Sequence, residues 1–103
     1  MNLMILLVGW ELIMLTEDIQ KTILTALPDA TVYVDDPNND GEHFQAIVIA
    51  EAFASMSLVK QHQIVMNALK EKFETTVHAL ALKTFSPEKW DNEKHRYQIK
   101  KEN

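Results

Sequence analysis

The sequence lacks several residue types on which many protein functions depend. Among its 103 residues there is no cysteine, and there are two glycines and three prolines. Without cysteine the chain supplies no disulfide, no thiolate metal ligand and no thiol nucleophile. This composition fits a reducing compartment, and we predict a cytoplasmic protein. The glycines, Gly9 and Gly41, are too far apart to form a glycine-rich phosphate-binding loop.

An excess of positive charge is also absent. The formal net charge is −5, and residues 1–50 hold one lysine against eight acidic residues. Residues 51–88 are balanced, and only residues 89–103 carry a small positive excess. A nucleic-acid-binding protein usually presents a strongly basic face. The basic end is better explained as a short solvated charge run.

No apolar run is long enough to cross a membrane. The run that begins at Leu3 is interrupted by Gly9, Trp10 and Glu11, whereas a membrane span needs about 20 apolar residues. A basic leader and a signal-peptidase site are missing, so we expect neither a signal peptide nor membrane association. We predict an apolar extension at 1–14, one domain at 15–92 and a polar tail at 93–103. An early start codon, an extra strand or a contact helix at an oligomer interface would each explain the extension.

The first part of the domain alternates between helical and strand periodicity. Thr16 is the expected N-cap of a helix over 17–27, which Pro28 ends. Alternating apolar residues predict strands over 30–35 and 43–50, the second with Phe44, Ala46 and Val48 on one face. The connection between them is short and rich in turn formers. An antiparallel hairpin is therefore expected.

The second part of the domain adds helices and one further strand. A short helical turn over 53–56 precedes a helix over 57–73, capped by Ser57. A strand follows over 76–84, and Ser86-Pro87 starts a short helix ending at Trp90. The inner face of the long helix is predicted to consist of Leu58, Val65, Leu69 and Phe73. The fold class is therefore α+β, in the order α-β-β-α-α-β, with helices on one face of a three-stranded mixed sheet.

Two stretches of sequence resemble the BolA family. The first is Gly41-Glu42-His43-Phe44 with the later run from Ser57 to Val65. The second is the block from Val77 to Thr84 that leads into Ser86-Pro87-Glu88-Lys89-Trp90. The His-Ala-x-x-x-Lys-Thr pattern before Pro-Glu-x-Trp is specific. The resemblance covers about residues 15–90 and is greatest to the shorter bacterial branch of the family. It implies a class II KH-like domain.

The resemblance also implies a function. BolA proteins bind monothiol glutaredoxins and take part in handling [2Fe–2S] clusters, in iron homeostasis, in stress responses and in transcription regulation. In the mixed complex the glutaredoxin supplies a cysteine and glutathione supplies a thiolate. By this resemblance the isolated chain is expected to hold no cluster and to be a monomer or weak homodimer. It would be a non-enzymatic adaptor.

The resemblance assigns His78 as one cluster ligand, near the start of the last strand. A second ligand is expected from the loop before the second strand. There the chain departs from the family, because Asp40 stands where some members carry cysteine, and the nearest histidine is His43. A carboxylate suits cluster iron less well than imidazole or thiolate. Either His43 substitutes, or the cluster is held more weakly, or the two proteins pair without sharing a cluster.

Each candidate residue also has a structural explanation. A lone histidine such as His78 on an apolar strand face is more often a hydrogen-bonded core or edge residue. His43 would be merely exposed on its strand. His62 would pack at the edge of the helical apolar stripe, although the family usually has a histidine there, so it is a reserve ligand together with Asp40. Met56 and Met66 are predicted to fill the core.

Two other functions compete with the cluster adaptor. Weak DNA or RNA binding would use Lys60, Lys70 and Lys72 on the long helix, but KH domains hold RNA with a Gly-x-x-Gly loop that this chain lacks. The apolar extension would instead serve an oligomerisation module. An enzyme is not expected, because no set of residues in the sequence supplies a nucleophile, a base and an orienting group together.

Overall fold

The computed structural model describes residues 3–75, 77 and 79–97. In chain order the elements are α1 (Leu3–Ala26), β1 (Thr31–Asp35), β2 (His43–Ile49), a 3-10 helix (Glu51–Ser55), α2 (Leu58–Ala68), α3 (Lys70–Thr75), β3 (Ala79–Phe85), α4 (Pro87–Glu93) and a second 3-10 helix (Lys94–Arg96). The predicted α+β class is confirmed.

The three strands form one mixed sheet in the order β1-β2-β3. Strands β1 and β2 are antiparallel, as the predicted hairpin requires, and β3 is parallel to β2. Phe44, Ala46 and Val48, which the alternation placed on one face of β2, are all buried. The segment between β2 and β3 must cross over the sheet, because a parallel neighbour cannot be reached by a tight turn.

The core lies between this sheet face and two helices. Ile19 and Ile23 of α1 and Val65 of α2 are almost completely inaccessible to solvent and belong to the same cluster as Phe44 and Val48 of β2. Burying an apolar side chain of this size stabilises the fold by about 1.5–3 kcal/mol. Ile19 and Ile23, four residues apart and therefore on one face of α1, hold this helix to the sheet.

The predicted start of the first helix is wrong. The helix begins at Leu3, so Thr16 lies inside it and is not an N-cap. The residues before Thr16 include one glycine, no proline and several good helix formers, so the backbone continues its hydrogen bonding upstream. The alternative that the extension forms a strand is therefore wrong for residues 3–14. None of the described helices combines the length and apolar character that a membrane crossing needs.

The predicted long helix is two helices, and part of its predicted inner face is wrong. The Ser57 hydroxyl accepts a hydrogen bond from the Lys60 N–H at 3.2 Å, as expected of an N-cap. Helix α2, however, ends with Leu69 as its C-cap (φ −97°, ψ 4°). Leu58 is 61% exposed. The inner stripe instead runs from Gln61 to Val65 and Leu69 at four-residue spacing, and all three are buried.

A buried glutamine explains this arrangement. The Gln61 side-chain amide donates to the carbonyl oxygens of Phe53 at 3.1 Å and Met56 at 3.0 Å. Its side-chain oxygen accepts a hydrogen bond of 2.7 Å from the Thr84 hydroxyl of β3. These bonds satisfy a polar group inside the protein, so a glutamine can lie on the inner face of α2 while the predicted inner residue Leu58 is exposed. The prediction that Met66 fills the core is also wrong, because this residue is 38% exposed.

The prediction that helices cover only one face of the sheet is wrong. Trp90 of α4 packs on the opposite face, with ring centroids 6.1 Å from Tyr33 of β1 and 5.4 Å from Phe85 of β3. Tyr97, which follows the second 3-10 helix, lies 5.7 Å from both Phe85 and Trp90. The N-cap at Ser86 is confirmed by its hydrogen bond with the Lys89 N–H at 3.3 Å. Helix α4 continues beyond the predicted end at Trp90.

The described part of the last strand is shifted from its predicted position. It runs from Ala79 to Phe85, against a prediction of 76–84. Residues 76 and 78 lie outside the described residues. Leu80 and Leu82 are partly buried against the core.

Candidate metal-binding loop

The loop between β1 and β2 is built around a buried carboxylate. Asp36 is only 9% exposed, and its two side-chain oxygens accept hydrogen bonds from the N–H groups of Asp40 at 3.3 Å and Gly41 at 2.9 Å. Asn39 and Gly41 have positive φ values of 51° and 68°, a conformation that asparagine and glycine tolerate best. This buried side chain therefore organises the turn.

Asp40 makes three hydrogen bonds to the residues that lead into β2. One carboxylate oxygen, Oδ1, accepts from the N–H of Glu42 at 2.9 Å and of His43 at 3.0 Å. The other, Oδ2, lies 2.8 Å from Nδ1 of the His43 ring. The two N–H groups and then the imidazole hold the pKa of the Asp40 carboxyl well below its usual range. The same carboxylate raises the pKa of His43.

His43 is the exposed member of this arrangement. Its side chain is 55% exposed, against 32% for Asp40. Ring atom Nδ1 faces Asp40, while Nε2 makes no hydrogen bond to any of the described residues. Ligand atoms of Asp40, Glu42 and His43 all lie within 4.8 Å of one another. Both oxygens of Asp40 already accept hydrogen bonds, so the imidazole is the stronger candidate ligand of the loop.

The loop is attached to the beginning of the last strand. His43 is the first residue of β2 and lies opposite Ala79, the first described residue of β3. The Ala79 N–H donates to the Glu42 carbonyl oxygen at 3.0 Å. The predicted ligand His78 lies outside the described residues, so its assignment stays a prediction. Ala79, which follows His78 in the chain, is hydrogen-bonded directly to the loop that carries His43.

The other predicted site residues do not join this loop. His62 is partly buried on α2, and no hydrogen bond connects it to a described loop residue. Lys60 and Lys70 are exposed, as nucleic-acid binding would require, but Lys72 forms an ion pair with Asp18 of α1. Sequence reasoning missed the role of Asp36. An aspartate at the first position of a turn, here before Pro37, is the signal that indicates it.

The protein is thus a small α+β protein with a mixed three-stranded sheet. Its candidate site is an exposed, carboxylate-bound histidine on a surface loop at one end of the sheet. A family model described as BolA-like protein matches residues 15–89. The chain therefore belongs to the BolA family, and the resemblance found in the sequence is confirmed.

Curated relatives support this assignment. The acid stress protein IbaG of Escherichia coli K12 is 36% identical over 74 residues, which are 71% of this chain and 84% of that protein. The DNA-binding transcriptional regulator BolA of the same organism is 31% identical over 55 residues, 53% of this chain and 52% of that protein. These relatives are named as stress proteins or regulators and not as enzymes.

The fold is also shared with solved structures. A BolA protein homologue from Coxiella burnetii superposes with a TM-score of 0.64 at 34% sequence identity, and the match covers 74% of this chain and 95% of that one. Mouse BolA1 superposes with a TM-score of 0.66 at 25% identity, covering 82% of this chain and 72% of that one.

Proposed function

We propose that this protein is a non-enzymatic adaptor that binds a monothiol glutaredoxin and takes part in binding or trafficking a [2Fe–2S] cluster, and thereby in iron regulation. The observation that carries the proposal is the exposed His43 imidazole, held by Asp40 on a loop that is hydrogen-bonded to the start of β3. His78, which directly precedes that strand, is the proposed second ligand.

The donor chemistry of the chain supports a shared cluster over a cluster held alone. Iron–sulfur clusters are bound mainly by thiolates, and this chain has no cysteine. It offers imidazole nitrogen, which replaces thiolate on one iron in some clusters and raises the reduction potential. The remaining ligands would come from the glutaredoxin cysteine and glutathione. We therefore expect the isolated protein, a monomer or weak homodimer in the cytoplasm, to hold no cluster.

Visible circular dichroism tests this proposal. The purified protein is mixed with a monothiol glutaredoxin, glutathione and reconstituted cluster, and the spectrum is compared with that of the glutaredoxin alone. We expect a changed spectrum that His43→Ala and His78→Ala each remove. His95→Ala is the matched control, because His95 is exposed in the second 3-10 helix. An unchanged spectrum with the intact protein would contradict cluster sharing.

A second candidate function is DNA binding in transcription regulation. The name of the E. coli relative, DNA-binding transcriptional regulator BolA, favours it, and so would the class II KH-like topology, which stays a prediction. The net charge of −5 and the ion pair of Lys72 with Asp18 weaken it. Titration of duplex DNA at two salt concentrations separates the two functions. Tight binding that falls steeply with salt and is lost in the double variant Lys60→Glu, Lys70→Glu would favour DNA.

A further inference from the structure

The loop contains an acidic residue at the position where a ligand was expected, and its contacts indicate a different role. Both Asp40 oxygens are directed at hydrogen-bond donors within the loop, with Oδ1 on two N–H groups and Oδ2 on the His43 ring. Binding iron through Oδ1 would displace one of its two N–H donors, whereas Oδ2 keeps one lone pair beside the imidazole. The His43 ring, in contrast, keeps one nitrogen without a described partner.

We propose that Asp40 is a positioning residue that holds the proton of His43 on Nδ1 and leaves the lone pair of Nε2 directed away from the loop, available to a metal. This inference rests on the proposed function for the identity of the metal, but not for the state of the ring.

The direction of the hydrogen bond follows from the chemistry of its two partners. An ionised carboxylate only accepts hydrogen bonds, so the ring nitrogen 2.8 Å from Oδ2 has to be the donor. In a neutral imidazole one nitrogen carries the proton and the other carries the lone pair. With the proton on Nδ1, the lone pair is on Nε2. Metal-bound histidines commonly donate their second ring N–H to a carboxylate in this way.

The loop fixes the carboxylate as firmly as it fixes the ring. Asp40 is held through its own N–H by the buried Asp36, which also binds the next residue, Gly41. His43 is held because it begins β2 and pairs with Ala79. Both partners of the hydrogen bond are therefore placed by backbone contacts before any metal arrives. Such preorganisation limits the conformational entropy that binding would otherwise lose.

The substitution Asp40→Asn separates this role from loop stability. The asparagine oxygen can accept the same two N–H groups, which leaves its NH₂ group facing the His43 ring. That group is a donor, so Nδ1 has to become the acceptor and the proton has to move to Nε2. The variant should keep the loop but give the wrong tautomer, as happens when the aspartate of a catalytic triad is replaced by asparagine.

Nuclear magnetic resonance of the metal-free protein tests the tautomer directly. Ring ¹⁵N shifts of His43 are recorded at a pH where the imidazole is neutral. We expect a protonated Nδ1 in the wild type and a protonated Nε2 in Asp40→Asn. The matched control is Glu42→Gln, which removes a neighbouring carboxylate that makes no hydrogen bond to the ring. A wild type protonated on Nε2, or a Glu42→Gln variant that changes tautomer, would overturn the inference.

Cluster binding with the glutaredoxin then tests the consequence. Loss of an orienting partner typically lowers metal affinity about 10–100-fold, and we expect this loss in Asp40→Asn. Asp35→Asn, which removes an exposed carboxylate of the same hairpin outside this cluster, should stay within about twofold of the wild type. Equal affinities of Asp40→Asn and wild type would overturn the positioning role. If His43→Ala has no effect on the cluster but the tautomer switches as described, the proposed function fails and the assignment of the ring state stands.

Discussion

Two ionisable side chains at the start of β2 depend on each other for their charged forms. The pKa of His43 is raised above its ordinary value of 6.5 by Asp40, and the pKa of Asp40 is lowered below its ordinary value of 3.8 by its three donors. The protonated imidazole therefore stabilises the fold below pH 6.5, and this contribution is lost as the pH rises through the raised pKa. The ionised carboxylate contributes above pH 3.8 and is lost in acid.

The pair is accordingly expected to stabilise the protein most between about pH 4 and 6.5. The difference in melting temperature between wild type and His43→Gln, measured from pH 3 to 9, should be largest in that window and smaller on both sides. His95→Gln, in an exposed position, should show no such maximum. A difference that stays constant across the range would contradict the ion pair.

Gln61 contributes to stability through three hydrogen bonds that no apolar residue replaces. Gln61→Ala leaves the Thr84 hydroxyl and the carbonyls of Phe53 and Met56 without this partner. We expect the free energy of unfolding in urea to fall by about 2–3 kcal/mol. Thr84→Val should lose about 1 kcal/mol. Because the two side chains bond to each other, the double variant should lose less than the sum of the single losses.

At the level of elements, local sequence signals located most helices and strands correctly. Alternation identified β1 and β2, and the Ser57 and Ser86 caps were found because a cap depends on neighbouring residues only. The start of α1 was missed because Thr16 has the character of a cap, while the helix formers before it continue the helix upstream. The candidate loop was recognised, but the Asp40–His43 contact was not, because it requires the particular backbone conformation set by Asp36.

The sequence analysis wrongly assigned Leu58 to the inner face of α2. Two substitutions test the orientation of this helix. Val65 is 0% exposed and Leu58 is 61% exposed. Val65→Ala should lower the free energy of unfolding by about 2–3 kcal/mol, through lost burial and an unfilled cavity. Leu58→Ala should change it by no more than about 0.5 kcal/mol. Chemical denaturation of both variants provides the comparison, and equal losses would contradict the described orientation of α2.

The aromatic contacts on the second sheet face extend the ordered structure past residue 93. Tyr97 lies 5.7 Å from the rings of Phe85 and Trp90. Tyr97→Ala should therefore lower the free energy of unfolding by about 1–2 kcal/mol, since aromatic pairs contribute beyond their buried area. His95→Ala, two residues earlier and exposed, is the control and should have little effect. An unchanged free energy of unfolding in Tyr97→Ala would show that the residues after α4 do not contribute to stability.

Across the whole molecule, the sheet combines a local and a distant pairing. The β1–β2 hairpin joins residues that are close in sequence, and its antiparallel pairing was predicted from the short connection. The β2–β3 pairing joins residues about 36 positions apart, such as His43 and Ala79. No single-sequence pattern specifies which strand lies in the centre, so the strand order β1-β2-β3 and the position of Trp90 over the second face emerged only from the structure.

That distant pairing also sets an order of events during synthesis. The hydrogen bond between Ala79 and Glu42 cannot form until the ribosome has released β3. Until then the loop bearing His43 has its internal bonds but lacks its anchor to the last strand. A partner that recognises both features would meet them together only on a completed chain. Such a partner would therefore not bind nascent chains or truncated products that lack β3. Binding would be restricted to chains in which the domain has finished folding.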